Sequence, residues 1–468
     1  MKKRLIAVSS VLIAALALSA CDQQSSGGST GGGGATVTTA APSTMAQEAQ
    51  SQAEEIKTKE FELENKEIKF LASWARNPAN GKNKDVAIEL FQTRFGGTIT
   101  DIVVANDDRY DQLAKYVSTG DSPDFFSAAD MDAFPMGAIG GLFQAVDNYI
   151  DFDDEWFSSR KALNDKFIYN GKHYVTAINP EIDTLMVYNK SIIAQNGFED
   201  PYDLLKKNQW NWDTCLEMMK TFCSKGDDFY ATDGWWISKG FCNSSGVPFI
   251  GLEDGQVTNN LRSEEIAKAQ EILETLNKEG LAYPVWDYGW VSNARNVGLG
   301  KTLFYPVGYW ALTEMDTEYG LKNYADNIED IGFVPVPSPT SDTIYIPARV
   351  TGYMLVSGAK NPAGYQCMMY CEAAANDSDE AEQITKDQYF NEYGWSEDMW
   401  EMRETMFDLL EKNPVFDFYL GISIEMKEYL DDPSKKAYHQ GESWTATMES
   451  IYNFVQSEVD KANEAIQS

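Results

Sequence analysis

Glu67-Ile-Lys-Phe-Leu-Ala-Ser73 opens the folded part of the chain, with Ile68, Phe70 and Ala72 alternating as the buried face of a strand. Asp85 to Phe95 then sets Val86, Leu90, Phe91 and Phe95 on a helical period and stops at Gly96-Gly97, a C-terminal helix signal. Thr98 to Ala105 (TITDIVVA) is rich in β-branched residues and reads as a second strand. Arg109 to Thr119 resumes helical spacing through Tyr110, Leu113, Ala114 and Val117 before Gly120, and Asp124-Phe-Phe-Ser-Ala128 supplies a third strand. The order βαβαβ predicts an α/β fold in which a mostly parallel sheet is flanked by helices.

Open parallel sheets bind ligands outside the carboxyl ends of their strands. Those ends are Ser73-Trp74, Asn106-Asp107 and Ala129-Asp130, so Trp74, Asp107 and Asp130 are expected on one rim. Further along, Lys172 to Pro180 and Asp183 to Lys190 read as strands interrupted at Asn179-Pro180-Glu181, where a crossing between lobes fits. Thr214 to Ser224 and Ser263 to Glu279 read as amphipathic scaffold helices, the second with a serine cap and Gly280 at its end.

Upstream, Met1-Lys-Lys-Arg4, an apolar run from Leu5 to Leu18 and small residues before Cys21 describe a secretory leader over residues 1–20. Leu18-Ser-Ala-Cys21 resembles the lipobox of bacterial lipoproteins, in which Cys21 receives lipid and becomes the first mature residue. The chain is therefore expected to be exported and lipid-anchored to the outer face of a bacterial cell membrane. Residues 21–65 are Gly/Ser/Thr-rich and then Gln/Glu-rich, a composition that does not pack a core. They read as a disordered tether with a reach on the order of 35 Å.

Loss of residues 1–20 removes three basic residues and no acid, leaving 72 acids against 35 Lys and Arg, a formal charge of -37. Nucleic acid and anionic lipid are poor partners for such a chain. About 410 residues beyond the tether exceed what one core normally serves, so two domains are expected. Five cysteines remain besides Cys21, which allows a disulfide without implying a framework, and Cys367 and Cys371 share a face of an expected helix. Only His173 and His439 occur, neither near a cysteine cluster, and no metal site or cofactor is expected.

The ordered string Leu71-Ala-Ser-Trp74, Phe95-Gly-Gly97, Arg109-Tyr110, Ser118-Thr-Gly-Asp-Ser-Pro-Asp124, Asn170-Gly-Lys-His-Tyr174, Tyr188-Asn-Lys190, Trp210-Asn-Trp-Asp-Thr214, Leu303 to Trp310 (LFYPVGYW) and Gly352 to Pro362 resembles the family 1 extracellular solute-binding proteins of ABC importers. The resemblance covers roughly residues 66–460. It implies a two-lobed, periplasmic-binding-protein-like fold with a hinge, a carbohydrate held in the interlobe cleft, and closure that presents both lobes to the membrane subunits of an ABC permease. It also implies more than one crossing, so residues 66–179 with 348–393 are assigned to the first lobe and 180–347 with 394–468 to the second. A monomer is expected.

Sugar recognition needs flat aromatic faces for C–H surfaces and planar polar groups for adjacent hydroxyls. Beside Trp74, Asp107 and Asp130, the candidates are Trp235 and Trp236 after Asp233-Gly234, Tyr309 and Trp310 after Gly308, and Glu181 and Arg349 at expected crossings. Arg349 could clamp a hydroxyl pair or form a structural ion pair at the hinge. Catalysis is not expected. With 72 carboxylates some acid pair at glycosidase spacing is inevitable, and no Gly-x-Ser-x-Gly, His-Glu-x-x-His or phosphate-binding loop occurs. A tethered glycoside hydrolase and a sugar-capture or sensor protein are the alternatives.

Overall fold

A computed structural model describes residues 36–38, 55–76, 85–253, 255–283 and 293–467. The expected leader and the lipidation candidate Cys21 lie outside the described residues. In the first lobe, β1 (Thr36–Thr38), β2 (Glu67–Ala72), β3 (Thr98–Val103), β4 (Phe125–Ser127), β5 (Thr176–Ile182), β10 (Ile346–Leu355) and β11 (Pro414–Phe416) share one sheet in the order β1-β3-β2-β4-β10-β11, with β5 also on β10. The expected βαβαβ unit is present, with β2 lying parallel to both β3 and β4. Its helices are α1 (Val86–Phe95) and α2 (Arg109–Thr119).

Local chemistry fixes these elements. The Asp85 carboxylate accepts the Ile88 N–H to cap α1, and Gly96 ends it at φ 65°, in the left-handed region. At Gly97 a side chain would meet the Phe91 ring at 2.3 Å, so the Gly-Gly pair is needed for closure as well as for the turn. Ile68, Phe70 and Ala72 pack under α1 and α6 (Pro362–Asp377), while Leu71 faces the opposite side with Leu113 and Phe126. Phe70 is fully buried and touches Phe125, Tyr353 and Trp74.

The second lobe has β6 (Leu185–Asn189), β7 (Tyr230–Thr232), β8 (Thr302–Val307) and β9 (Ile331–Pro335) in the order β9-β6-β8-β7. β7 and β8 are parallel, and β6 runs antiparallel to β8 and β9. Around it lie α3 (Trp212–Cys223), α4 (Ile237–Asn243), α5 (Glu264–Lys278), α8 (Glu397–Lys412), α9 (Ile424–Gln440) and α10 (Trp444–Gln467). α7 (Asp379–Tyr393) leads from the first lobe to the second, where Tyr389 packs on Trp395.

Three features differ from the sequence reading. β11, expected in the second lobe with residues 394–468, pairs parallel with the start of β10 in the first sheet, a long-range pairing that chain order does not announce. β5 is not interrupted at Asn179-Pro180-Glu181 but continues to Ile182, in register with Ala348. Proline removes only one ladder donor, and a register shift between Thr351 and Gly352 adjusts the pairing beside it. The chain therefore leaves the first sheet after Ile182. Part of the expected tether also belongs to the first lobe. β1 pairs antiparallel with β3, Ile56 is buried, its carbonyl accepts the Arg94 guanidinium at 2.9 Å, and Phe61 meets Phe95 and Tyr370. All five described cysteines are free, and no described helix is long and apolar enough to cross a membrane.

Candidate functional site

In the first lobe β2 lies between β3 and β4, so the rim reads Asp107, Trp74, Asp130 across adjacent carboxyl ends. Trp74 is half-buried, its indole edge-on to Phe70 at 5.1 Å. Asp107 is exposed in the 3-10 turn Asn106–Asp108. Asp130 is 42% exposed and accepts the Arg109 guanidinium at 2.7 Å. The other arm of Arg109 binds Asp132 at 2.6 Å, and the Tyr110 hydroxyl donates to Asp132 at 2.7 Å. Burial works against the Arg109 charge, but Asp130 and Asp132 outweigh it and raise its pKa. Burial pushes the Asp132 carboxyl up despite Arg109.

The second rim is built the same way. Because β7 and β8 are parallel neighbours, their carboxyl ends set Asp233-Gly-Trp-Trp236 beside Gly308-Tyr-Trp310. The Trp235 indole N–H donates to the Tyr319 hydroxyl at 3.1 Å. Trp236, Trp310 and Tyr319 form a triangle with centroids 5.5 to 5.9 Å apart and steeply inclined rings. All four aromatics are partly exposed. Burial raises the Asp233 carboxyl to about 6, against the N–H groups of Asn293 and Gly234 that it accepts.

Tyr309 differs from its neighbour. It is 2% exposed, packs on Phe407 at 5.3 Å and donates to the Tyr389 hydroxyl, so the 3-10 turn at Tyr309–Thr313 takes it into the core and leaves Trp310 at the rim. Gly308 makes room for this: a Cβ there would stand 2.2 Å from the Trp310 indole nitrogen. Gly308→Ala is therefore expected to displace that indole and cost about 1–3 kcal/mol, read as a lowered urea midpoint with an unchanged m-value.

Glu181 and Arg349 face each other in register between β5 and β10 and form a buried ion pair at 2.7 Å. The Thr351 hydroxyl donates to the second Glu181 oxygen at 3.3 Å. One step further, Asp183 pairs with Lys239 of α4 at 3.2 Å. Burial opposes the Arg349 charge, yet Glu181, Asp183 and Asp130 raise its pKa overall. A row of charges thus runs from Asp130 through Arg349 and Asp183 to Lys239, three residues after Trp236, and joins the two rims at the crossing. Of the two expectations for Arg349, the described contacts show the ion pair, made with Glu181 where β5 and β10 lie side by side.

Asp417 follows β11 and accepts the N–H groups of Phe249, Ile250 and Tyr419, while burial pushes it up to about 6. A carboxyl raised on folding stabilises while protonated, and that contribution is lost as pH rises from its unfolded value through about 6. The stability of the native protein relative to Asp417→Asn should fall by about 2–3 kcal/mol between pH 4 and 7, measured by urea unfolding.

Arg109, Asp132, Asp233 and Tyr319 also stand at the two rims, and the sequence reading does not select them as candidates. Asp233 stands after β7 as Asp130 stands after β4, so the strand-end rule applied to the second sheet would have found it. Among the described residues no group of three or more His, Cys, Asp or Glu side chains could hold a metal ion.

The model of the family described as bacterial extracellular solute-binding protein matches residues 75–373. Among curated proteins no sequence matches significantly. Solved structures share the fold. An ABC substrate-binding protein from Listeria monocytogenes in complex with cycloalternan is 15% identical, with TM-score 0.60, over 86% of this chain and 99% of that one. An ABC transporter associated binding protein from B. animalis subsp. lactis in complex with β-1,6-galactobiose is 17% identical, with TM-score 0.57, over 84% and 98%. A protein from Mycobacterium tuberculosis in complex with glycerophosphocholine is 17% identical, with TM-score 0.58, over the same shares.

Proposed function

Because this chain belongs to the bacterial extracellular solute-binding proteins, we propose that it captures a carbohydrate, an oligosaccharide, between its lobes and delivers it to the permease of an ABC importer. The observation that carries this reading is the pair of rims: Trp74 between two carboxylates in one lobe, and Trp235, Trp236, Trp310 and Tyr319 beside Asp233 in the other. Aromatic faces cover the C–H side of a pyranose, and carboxylates accept from its hydroxyls. A ligand bound first to one rim gains contacts from the other only on closure, and this difference shifts the population toward the closed form.

The work is binding without turnover. Lipid on Cys21 would hold the monomeric protein at the outer face of the membrane, where its captured solute meets the permease. Thermal-shift measurements with maltotetraose, β-1,6-galactobiose and cycloalternan test the reading. A ligand at about 100 times its Kd adds about 2.7 kcal/mol of apparent stability. A raised midpoint without new reducing ends supports capture, and no shift across a broad sugar panel, or release of shorter sugars, contradicts it.

A further inference from the structure

Four described cations near the two rims and their junction, Arg76, Arg109, Arg349 and Lys239, are held by carboxylates. Arg76, two residues beyond Trp74, is fully buried between Asp85 and Glu372. Arg109 is held by Asp130 and Asp132, Arg349 by Glu181, and Lys239 by Asp183. The side chains of Arg76, Arg109 and Arg349 are at most 9% exposed, and that of Lys239 is 21% exposed. Outward-facing polarity is acidic: Asp107 is exposed, Asp108 partly so, and Asp130 turns 42% of its side chain to solvent.

From this arrangement we infer that the cleft selects a ligand carrying no negative charge, and that uronates, sugar phosphates and other anionic sugars are rejected. The inference rests on the carbohydrate reading and narrows it to a substrate class. An anion that took any of these four cations would have to release it from its carboxylate, and every such carboxylate but Asp130 would then be left unpaired in a largely buried setting. It would also approach Asp107 and Asp130, like charges that slow encounter and oppose binding. A neutral polyol meets neither obstacle. Its hydroxyls donate to the same carboxylate oxygens, which when ionised accept and do not donate, and the ion pairs stay intact. Arg109 has a positioning role here, keeping Asp130 at the rim while neutralising part of its charge.

Calorimetric titration of the whole protein with maltotetraose, β-1,6-galactobiose, trigalacturonate, glucose 1-phosphate and glycerophosphate, at low and high sodium chloride, tests this. The expected result is that a neutral sugar binds and every anionic probe binds about tenfold or more weakly, with the gap narrowing as salt screens the carboxylates. Asp130→Asn should narrow the same gap at low salt, because it removes a rim charge. An anionic probe that binds as tightly as the best neutral one overturns the inference, and if that probe is trigalacturonate the carbohydrate reading stands. Failure of every sugar, neutral and anionic alike, sinks the carbohydrate reading and this inference with it.

Discussion

Arg349→Ala is expected to lower the stability of the folded protein by about 3–5 kcal/mol, because it leaves the buried Glu181 side chain without its partner. The pair sits where β5 and β10 carry the chain between lobes, and both side chains are largely out of solvent. Thr351 gives Glu181 one further hydrogen bond, too little to solvate a lone carboxylate. The double variant Arg349→Met with Glu181→Leu removes both charges and should recover most of the loss, since an apolar pair of similar volume can match a buried ion pair. Urea unfolding of the native protein and the two variants checks this. Loss of ligand affinity in Arg349→Ala with full stability would instead make Arg349 a ligand clamp.

The second large effect belongs to the aromatic rim. Trp310→Ala removes one ring of the triangle with Trp236 and Tyr319 and should weaken oligosaccharide binding by about 2 kcal/mol or more, roughly thirtyfold. Trp310→Phe keeps an apolar face and should recover part of the affinity. Tyr309→Phe supplies the contrast, because Tyr309 is buried against Phe407 and its hydroxyl reaches only within the core. Its affinity should stay near that of the native protein. Calorimetric titration gives the affinities, and unfolding midpoints separate lost contacts from lost folding.

The first lobe was legible because its signals are local. Alternation at Ile68, Phe70 and Ala72, the helix ending at Gly96 and the strand through Phe125-Phe-Ser127 place Trp74, Asp107 and Asp130 on one rim by chain order alone. What was not legible depends on partners distant in sequence. Arg349 and Glu181 are each visible as charged residues near a crossing, but their pairing needs the register of two strands 168 residues apart. Tyr319 reaches Trp235 from a loop without periodicity. The choice between Tyr309 and Trp310 is made by a 3-10 turn that adjacent aromatics do not announce. The stretch around Ile56 and Phe61 looked too poor in apolar residues to fold, yet a groove already lined by Phe95 and Tyr370 needs only a few side chains to hold it.

Capture between two lobes requires one ligand to depend on both rims at once. The most direct measurement is calorimetric titration of a single bound oligosaccharide against the native protein, Trp74→Ala and Trp310→Ala, one substitution in each lobe. Each should weaken that same ligand about tenfold or more, with unfolding midpoints showing that both variants remain folded. If either folded variant binds the sugar as tightly as the native protein, the ligand does not sit between these two rims.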